Sequence, residues 1–141
     1  MEVRRRITPK LTLQPDFRPL IVGLRLDREQ LYQRIELRVD RMIEAGLIQE
    51  VQALLQQGVP REAVSMQGIG YRQITAYLAS EIERAEAIRL IKRDTRRFAK
   101  RQMTWFKRND SIQWFDIDHY RGEGSLEQAV CAWLTGQLEE E

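Results

Sequence analysis

The chain of 141 residues is poor in the side chains that staple small domains: it has a single cysteine, Cys131, and a single histidine, His119. One cysteine excludes an internal disulfide and any zinc site built on two or more thiolates, and it points to a reducing, cytoplasmic setting. One histidine excludes a His-pair metal site within the chain. Cys131 lies in an apolar helical stretch and reads as a small buried hydrophobe, His119 as a solvated loop residue. No run approaches the roughly 18 to 20 consecutive apolar residues of a membrane span, and Met1 to Lys10 carries three arginines and a lysine with no apolar stretch behind them. Neither a membrane partner nor a secretory leader is expected. There is no G-x-x-x-x-G-K-[ST], and none of the four lysines follows a glycine, so the chain has no P-loop of its own. With no G-x-S-x-G and only one His and one Cys, no nucleophilic triad can be built.

What is present is charge, unevenly placed. Hydrophobic residues make up 43% of the chain and charged ones 31%, enough apolar surface for one soluble domain, and the net charge is only +2. Residues 92–108, KRDTRRFAKRQMTWFKR, nevertheless hold eight basic side chains and one acid, a local +7 that leaves −5 for the remainder. Such a stripe attracts polyanions, while the acidic remainder limits indiscriminate binding.

Residues 1–19, with Pro9, Pro15 and Pro19, read as an irregular lead-in ahead of one domain over 20–141. LIVGLRL from Leu20 suits a buried strand with neighbours on both sides. Asp27 is a good helix N-cap, and Leu31, Ile35, Val39, Met42 and Ile43 then recur at helical spacing. Gly46 interrupts the pattern and Gly58 and Pro60 stop it, giving two helices or one bent helix. A glycine-containing loop over 59–70 leads to a short helix from about Tyr71 to Leu78. Ser80 with Glu83 reads as a capping box opening a long helix to Arg108, with Ala85, Ile88, Ile91, Thr95, Phe98, Gln102 and Trp105 along one side. SIQWFDID supplies a second strand, and Ser125 with Gln128 opens a last helix ending near Gly136. Two strands some ninety residues apart do not make an independent sheet, so the fold class expected is predominantly helical α/β with a sheet not completed alone.

Three segments could carry chemistry. On the long helix, Arg89, Arg93, Arg96 or Arg97, Lys100, Thr104 and Lys107 advance by three or four and form a basic stripe. Trp105 and Phe106 set rings for base stacking among Lys100, Arg101, Lys107 and Arg108, as single-stranded RNA recognition requires; the same pattern also describes a solvated helix face with core aromatics. In MQGIGYR, two glycines expose backbone N–H groups before a helix N-terminus, with Tyr71 and Arg72 adjacent, which makes either an anion site or a tight inter-helix turn. Arg34, Arg38 and Arg41 share one face of the helix after the first strand, where they could hold a pyrophosphate or pair with Glu36, Asp40 and Glu44.

Taken together, GLRLDREQLYQRIELRVDRMIEAGLIQEVQALL, MQGIGYRQITAYL and AIRLIKRDTRRFAKRQMTWFKR followed by WFDID resemble the C-terminal part of the tRNA dimethylallyltransferase family over about Leu20 to Asp118. The resemblance implies the C-terminal portion of a P-loop NTPase-like core. It implies transfer of a dimethylallyl group from dimethylallyl diphosphate, with magnesium, to the exocyclic amine of the adenine flanking the tRNA anticodon. By resemblance, Gln67, Gly68, Ile69, Gly70, Tyr71, Arg72, Lys100, Arg101, Gln102, Met103, Thr104, Trp105, Phe106 and Lys107 contact the tRNA anticodon stem-loop, and Arg34 and Arg38 meet the diphosphate or its channel. No catalytic residue and no metal ligand is assigned in this chain. The family's P-loop and general-base aspartate belong to an N-terminal half, so the expectation is a tRNA-gripping piece that lacks that half and is inactive alone. The alternative is a stand-alone helical RNA-binding or adaptor domain, and a third reading is a helical domain whose basic stripe binds an acidic protein.

Overall fold

The computed structural model describes residues 19–120 and 124–139. The lead-in before Pro19 and the centre of the turn expected after Tyr120 lie outside the described residues. Strand β1 (Ile21–Arg25) is followed by helices α1 (Arg28–Glu44) and α2 (Leu47–Gln56), a short 3-10 turn (Val64–Gln67), and helices α3 (Tyr71–Leu78) and α4 (Arg84–Phe106). Strand β2 (Ile112–Asp116) and helix α5 (Ser125–Glu139) complete the order.

Asp27 caps α1 as its sequence suggests, the carboxylate accepting the Glu29 N–H at 2.9 Å. The open choice between one bent helix and two resolves as two, separated at Ala45 and Gly46. The expected capping box at Ser80 does not form. Ser80 has a φ of +60°, its N–H donates to the Tyr77 carbonyl at 2.9 Å, and the Glu81 N–H donates to that of Ala76 at 3.0 Å. Ser80 is thus used to close α3, in the left-handed position that ends many helices, and α4 begins at Arg84 behind Glu83.

β1 and β2 pair with each other in parallel, Ile21 opposite Ile112 through Arg25 opposite Asp116. Four helices form the crossover that parallel pairing requires. Gly23 lies opposite Trp114, and a Cβ there would stand 2.6 Å from both the Trp114 ring and the Ile112 Cγ2, so the absent side chain makes room for the indole. The expectation of neighbours on both sides of β1 is corrected: among the described residues β2 is its one ladder partner, and Leu24 is half exposed.

The core lies between the helices, where Val39 and Ile43 of α1, Leu47 and Val51 of α2, Met66, Ile74 of α3, and Ala87 and Ile91 of α4 meet. α5 has no fully buried residue. It rests on the sheet through Trp133, whose ring meets Phe115 edge-on at 6.3 Å, and Cys131 is exposed rather than buried. The apolar stripe expected on α4 holds only around Ile88 and Ile91; Ala85, Phe98, Gln102 and Trp105 are exposed, Trp105 by 67%. Among the described residues the sheet is this one parallel pair, and it is not isolated. The strands that looked unpartnered find each other because the helices return the chain alongside β1, and the helices close a core of their own.

Removing Ile74 side-chain atoms should be costly and removing Trp105 cheap. Ile74→Ala is expected to lower stability by about 2 to 5 kcal/mol, and Trp105→Ala by no more than about 0.5 kcal/mol, in denaturant unfolding followed by circular dichroism.

Candidate nucleic-acid interface

Because β1 and β2 run parallel and in register, their carboxyl ends lie side by side. Arg25 and Asp116, the last residues of the two strands, pair there as a fork, Arg25 Nη2 donating to Asp116 Oδ2 at 2.9 Å and Nε to Oδ1. One turn further on, the Asp118 carboxylate accepts the Asp27 N–H at 2.9 Å, tying the start of α1 to the end of β2. The hydrogen bond from Arg25 holds the Asp116 carboxyl below the usual carboxylate range, against a smaller upward push from burial. His119 Nδ1 stands 4.0 Å from the same carboxylate, with its side chain 77% exposed.

Above these strand ends opens a cleft of about 680 Å³. Its floor is Arg25, Asp116, Asp118 and His119; one wall is the first turns of α1, including Arg28, Leu31 and Tyr32. The other wall is Ala99, Lys100, Met103, Thr104 and Lys107, a single face of α4 by their spacing of three and four. Arg28 stacks over the Tyr32 ring at 5.3 Å and donates to its hydroxyl at 3.2 Å. Ligands of open α/β sheets settle at the carboxyl ends of strands, and this cleft occupies that place.

Charge on α4 divides along its length. In the first half, Arg89 pairs with Glu86, Lys92 with Asp40 of α1, Arg93 with Asp94, and Arg96 with Glu36 of α1. Further along, Arg97, Lys100, Arg101, Lys107 and Arg108 enter no ion pair among the described residues. The uniform stripe expected from spacing is thus half neutralised by the acidic body, and its free cations collect beside the cleft. The Trp105 and Phe106 rings meet edge-on at 4.9 Å at that same end, both exposed. The expected Lys100 to Lys107 set also separates by face: Lys100, Met103, Thr104 and Lys107 look into the cleft. Gln102 and Phe106, with Met103 again, line an apolar groove against the sheet, and Arg101 lies 6.0 Å from the Phe98 ring.

The glycine loop packs against α4 upstream of the cleft. Gly70, at φ +101°, is buried, and its N–H donates to Gln73 Oε1 at 2.9 Å. Gln73 Nε2 and Arg72 Nη2 both donate to Asp94 Oδ2, at 2.9 and 2.7 Å, and Arg93 Nε donates to Oδ1 at 2.9 Å. Burial pushes the Asp94 carboxyl up, but these hydrogen bonds, with the nearby Arg93 charge, outweigh it and hold the group below its ordinary value. Gln67 donates to the Arg61 carbonyl, Ile69 packs on the core, Gly68 is exposed, and the Tyr71 hydroxyl donates to Glu50. Arg34 and Arg38 are not in the cleft. They line a separate groove of about 650 Å³ with Leu37, Arg41, Met42 and Ala45, and among the described residues neither makes the ion pair open to it.

Arg25, Arg28, Tyr32, Asp116, Asp118 and His119 escaped the sequence reading. The signal that could have found them was the strand-end rule applied to both strands at once. Titrated by the Asp116 carboxyl carbon resonance, the midpoint is expected below the usual carboxylate value, and it should rise toward that value in Arg25→Gln.

A family model described as IPP transferase matches residues 2–109. A tRNA dimethylallyltransferase of Clostridioides difficile is 46% identical over 91% of this chain and 41% of its own length. The full-length tRNA isopentenylpyrophosphate transferase of Bacillus halodurans superposes with a TM-score of 0.79 at 39% identity, over 86% of this chain and 39% of that one. The corresponding enzyme of Staphylococcus epidermidis gives 0.75 at 34% identity, over 84% and 38%. The chain thus spans about two fifths of the length of the relatives it matches.

These matches correct the expectations that followed from treating the chain as a C-terminal remnant of a P-loop core. The family match runs over residues 2–109, taking in the lead-in as well, and each of the two solved enzymes superposes over more than four fifths of this chain. The remnant reading, the inactivity expected of the isolated chain, the missing N-terminal half and the non-catalytic adaptor alternative are therefore all withdrawn. The chain belongs to the IPP transferase family.

Proposed function

We propose that the protein acts in tRNA modification, transferring the dimethylallyl group of dimethylallyl diphosphate to the exocyclic amine of the adenine flanking the anticodon, in the cytoplasm. In that reaction the C–O bond to the diphosphate breaks, an N–C bond forms, and the amine gives up a proton. The observation that carries the reading is the run of cations on the second half of α4 that make no ion pair among the described residues, which borders a cleft at the ends of two parallel strands. Phosphates of an anticodon stem-loop suit Lys100, Lys107 and their unpaired neighbours, and the exposed Trp105 and Phe106 rings suit unstacked bases. On the glycine loop, Gln67, Gly68 and Arg72 have accessible surface for the same RNA. Arg34 and Arg38, in their own groove, are the groups proposed to meet the diphosphate.

The family implies magnesium, and the described residues do not provide a site for it. Among them no three Asp, Glu, His or Cys side chains gather as a metal-holding group, and the cleft carboxylates already accept other donors, Asp116 from Arg25, Asp118 from the Asp27 N–H and Asp27 from the Glu29 N–H.

Binding of a fluorescent anticodon stem-loop should weaken steeply with salt. Lys100→Ala with Lys107→Ala should weaken it by about tenfold or more and flatten the salt slope by roughly 0.7 to 0.9 per lost phosphate contact. Binding indifferent to salt and to both substitutions would contradict the reading. In a transfer assay, Arg34→Ala and Arg38→Ala are each expected to raise the KM for the diphosphate by about tenfold, the cost of one charge-assisted hydrogen bond, with stem-loop affinity unchanged.

A further inference from the structure

We propose that Asp94 is a positioning residue for RNA recognition: it clamps the glycine loop to α4 so that the loop and the downstream cations present one fixed surface. This inference rests on the tRNA reading above. Asp94 is the one buried acidic residue of α4 among those described, its side chain 11% exposed, inside the most basic segment of the chain. A carboxylate there opposes polyanion binding by its charge, so its presence calls for a geometric reason.

The geometry provides one. Three donors converge on Asp94 from two elements: Arg72 and Gln73 of α3, and Arg93 of α4 itself. Through Gln73, whose other amide atom accepts the Gly70 N–H, the carboxylate reaches the left-handed turn that aims the loop backbone. Through Arg72 it fixes a guanidinium that is otherwise half exposed. Both arginines are thereby oriented, and the Gly68 to Arg72 loop is held against the middle of α4, between its neutralised first half and its free cations. The two buried members, Asp94 and the Gln73 amide, are satisfied by each other and by Gly70, Arg72 and Arg93, and breaking the set leaves the Gln73 amide and the Asp94 carboxylate short of partners in a place water reaches poorly.

Charge and position predict opposite signs for Asp94→Asn. Removing a negative charge from a polyanion-binding surface tightens RNA binding if Asp94 matters only electrostatically. Loosening the clamp weakens it. We expect stem-loop affinity to fall about five- to tenfold, on the order of one lost hydrogen bond. The Gly70 amide should also exchange faster with solvent, while Ile91→Val, a mild core defect, should leave affinity unchanged. Unchanged or tighter binding by Asp94→Asn, or an equal loss in Ile91→Val, would overturn the proposal. If Asp94→Asn fails to fold, Asp94→Glu gives the same contrast: the charge stays, the carboxylate moves by one methylene, and affinity should still fall, whereas retained affinity overturns the clamp. Failure of the wild-type protein to bind the stem-loop is a separate result, which would remove the tRNA reading and this inference with it.

Discussion

A helix of 23 residues that must satisfy two partners at once, α4, is the constraint on which the rest of this structure depends. Its first half is a core element: Ala87 and Ile91 are buried against α1 and α3, and the cations flanking them are neutralised by Glu36, Asp40 and Asp94. The second half leaves that core, and its cations have no acidic partner among the described residues. Partly buried ion pairs of this kind contribute little to stability, but they decide where uncompensated charge is left. The net charge of +2 conceals that division, which exists only in three dimensions.

The strand pair supplies the second half of the site. Parallel pairing brings two carboxyl ends to one place, which an antiparallel hairpin would not, and the equal register puts Arg25 beside Asp116. That fork and the Asp118 carboxylate on the Asp27 N–H close the floor of the cleft. The walls then follow from α1 starting after a link of two residues, Leu26 and Asp27, behind β1 and from α4 crossing above. Gly23 matters to the same end, since a side chain there would collide with the Trp114 ring and disturb the pairing that aligns the strand ends.

Much of this was legible in the sequence because it is local. Both strands, the Asp27 cap and the helix periods depend on residues close in the chain, and the motif set MQGIGYR and KRQMTWF pointed to the family. What was not legible depends on competition between neighbouring local signals or on partners far away in sequence. Ser80 looked like an N-cap because it precedes a helix, yet the bonds at Ser80 and Glu81 close α3 behind it. Trp105, in phase with Ile91, was open to both a core and a base-stacking reading, and it is exposed because α4 has left the core by then. Cys131, placed in the core by its apolar neighbours, is exposed because α5 lies at the surface with no fully buried residue. The pairing of Lys92 and Arg96 could not be read, because Asp40 and Glu36 approach α4 only after the helices pack.

The most direct test of the central claim is to map the stem-loop on the protein by NMR chemical-shift perturbation at moderate salt. The account predicts that shifts concentrate on the second half of α4, around Lys100, Thr104 and Lys107, and on the strand ends at Arg25 and Asp118. Perturbations centred instead on Arg89 and Lys92, with the cleft undisturbed, would contradict it.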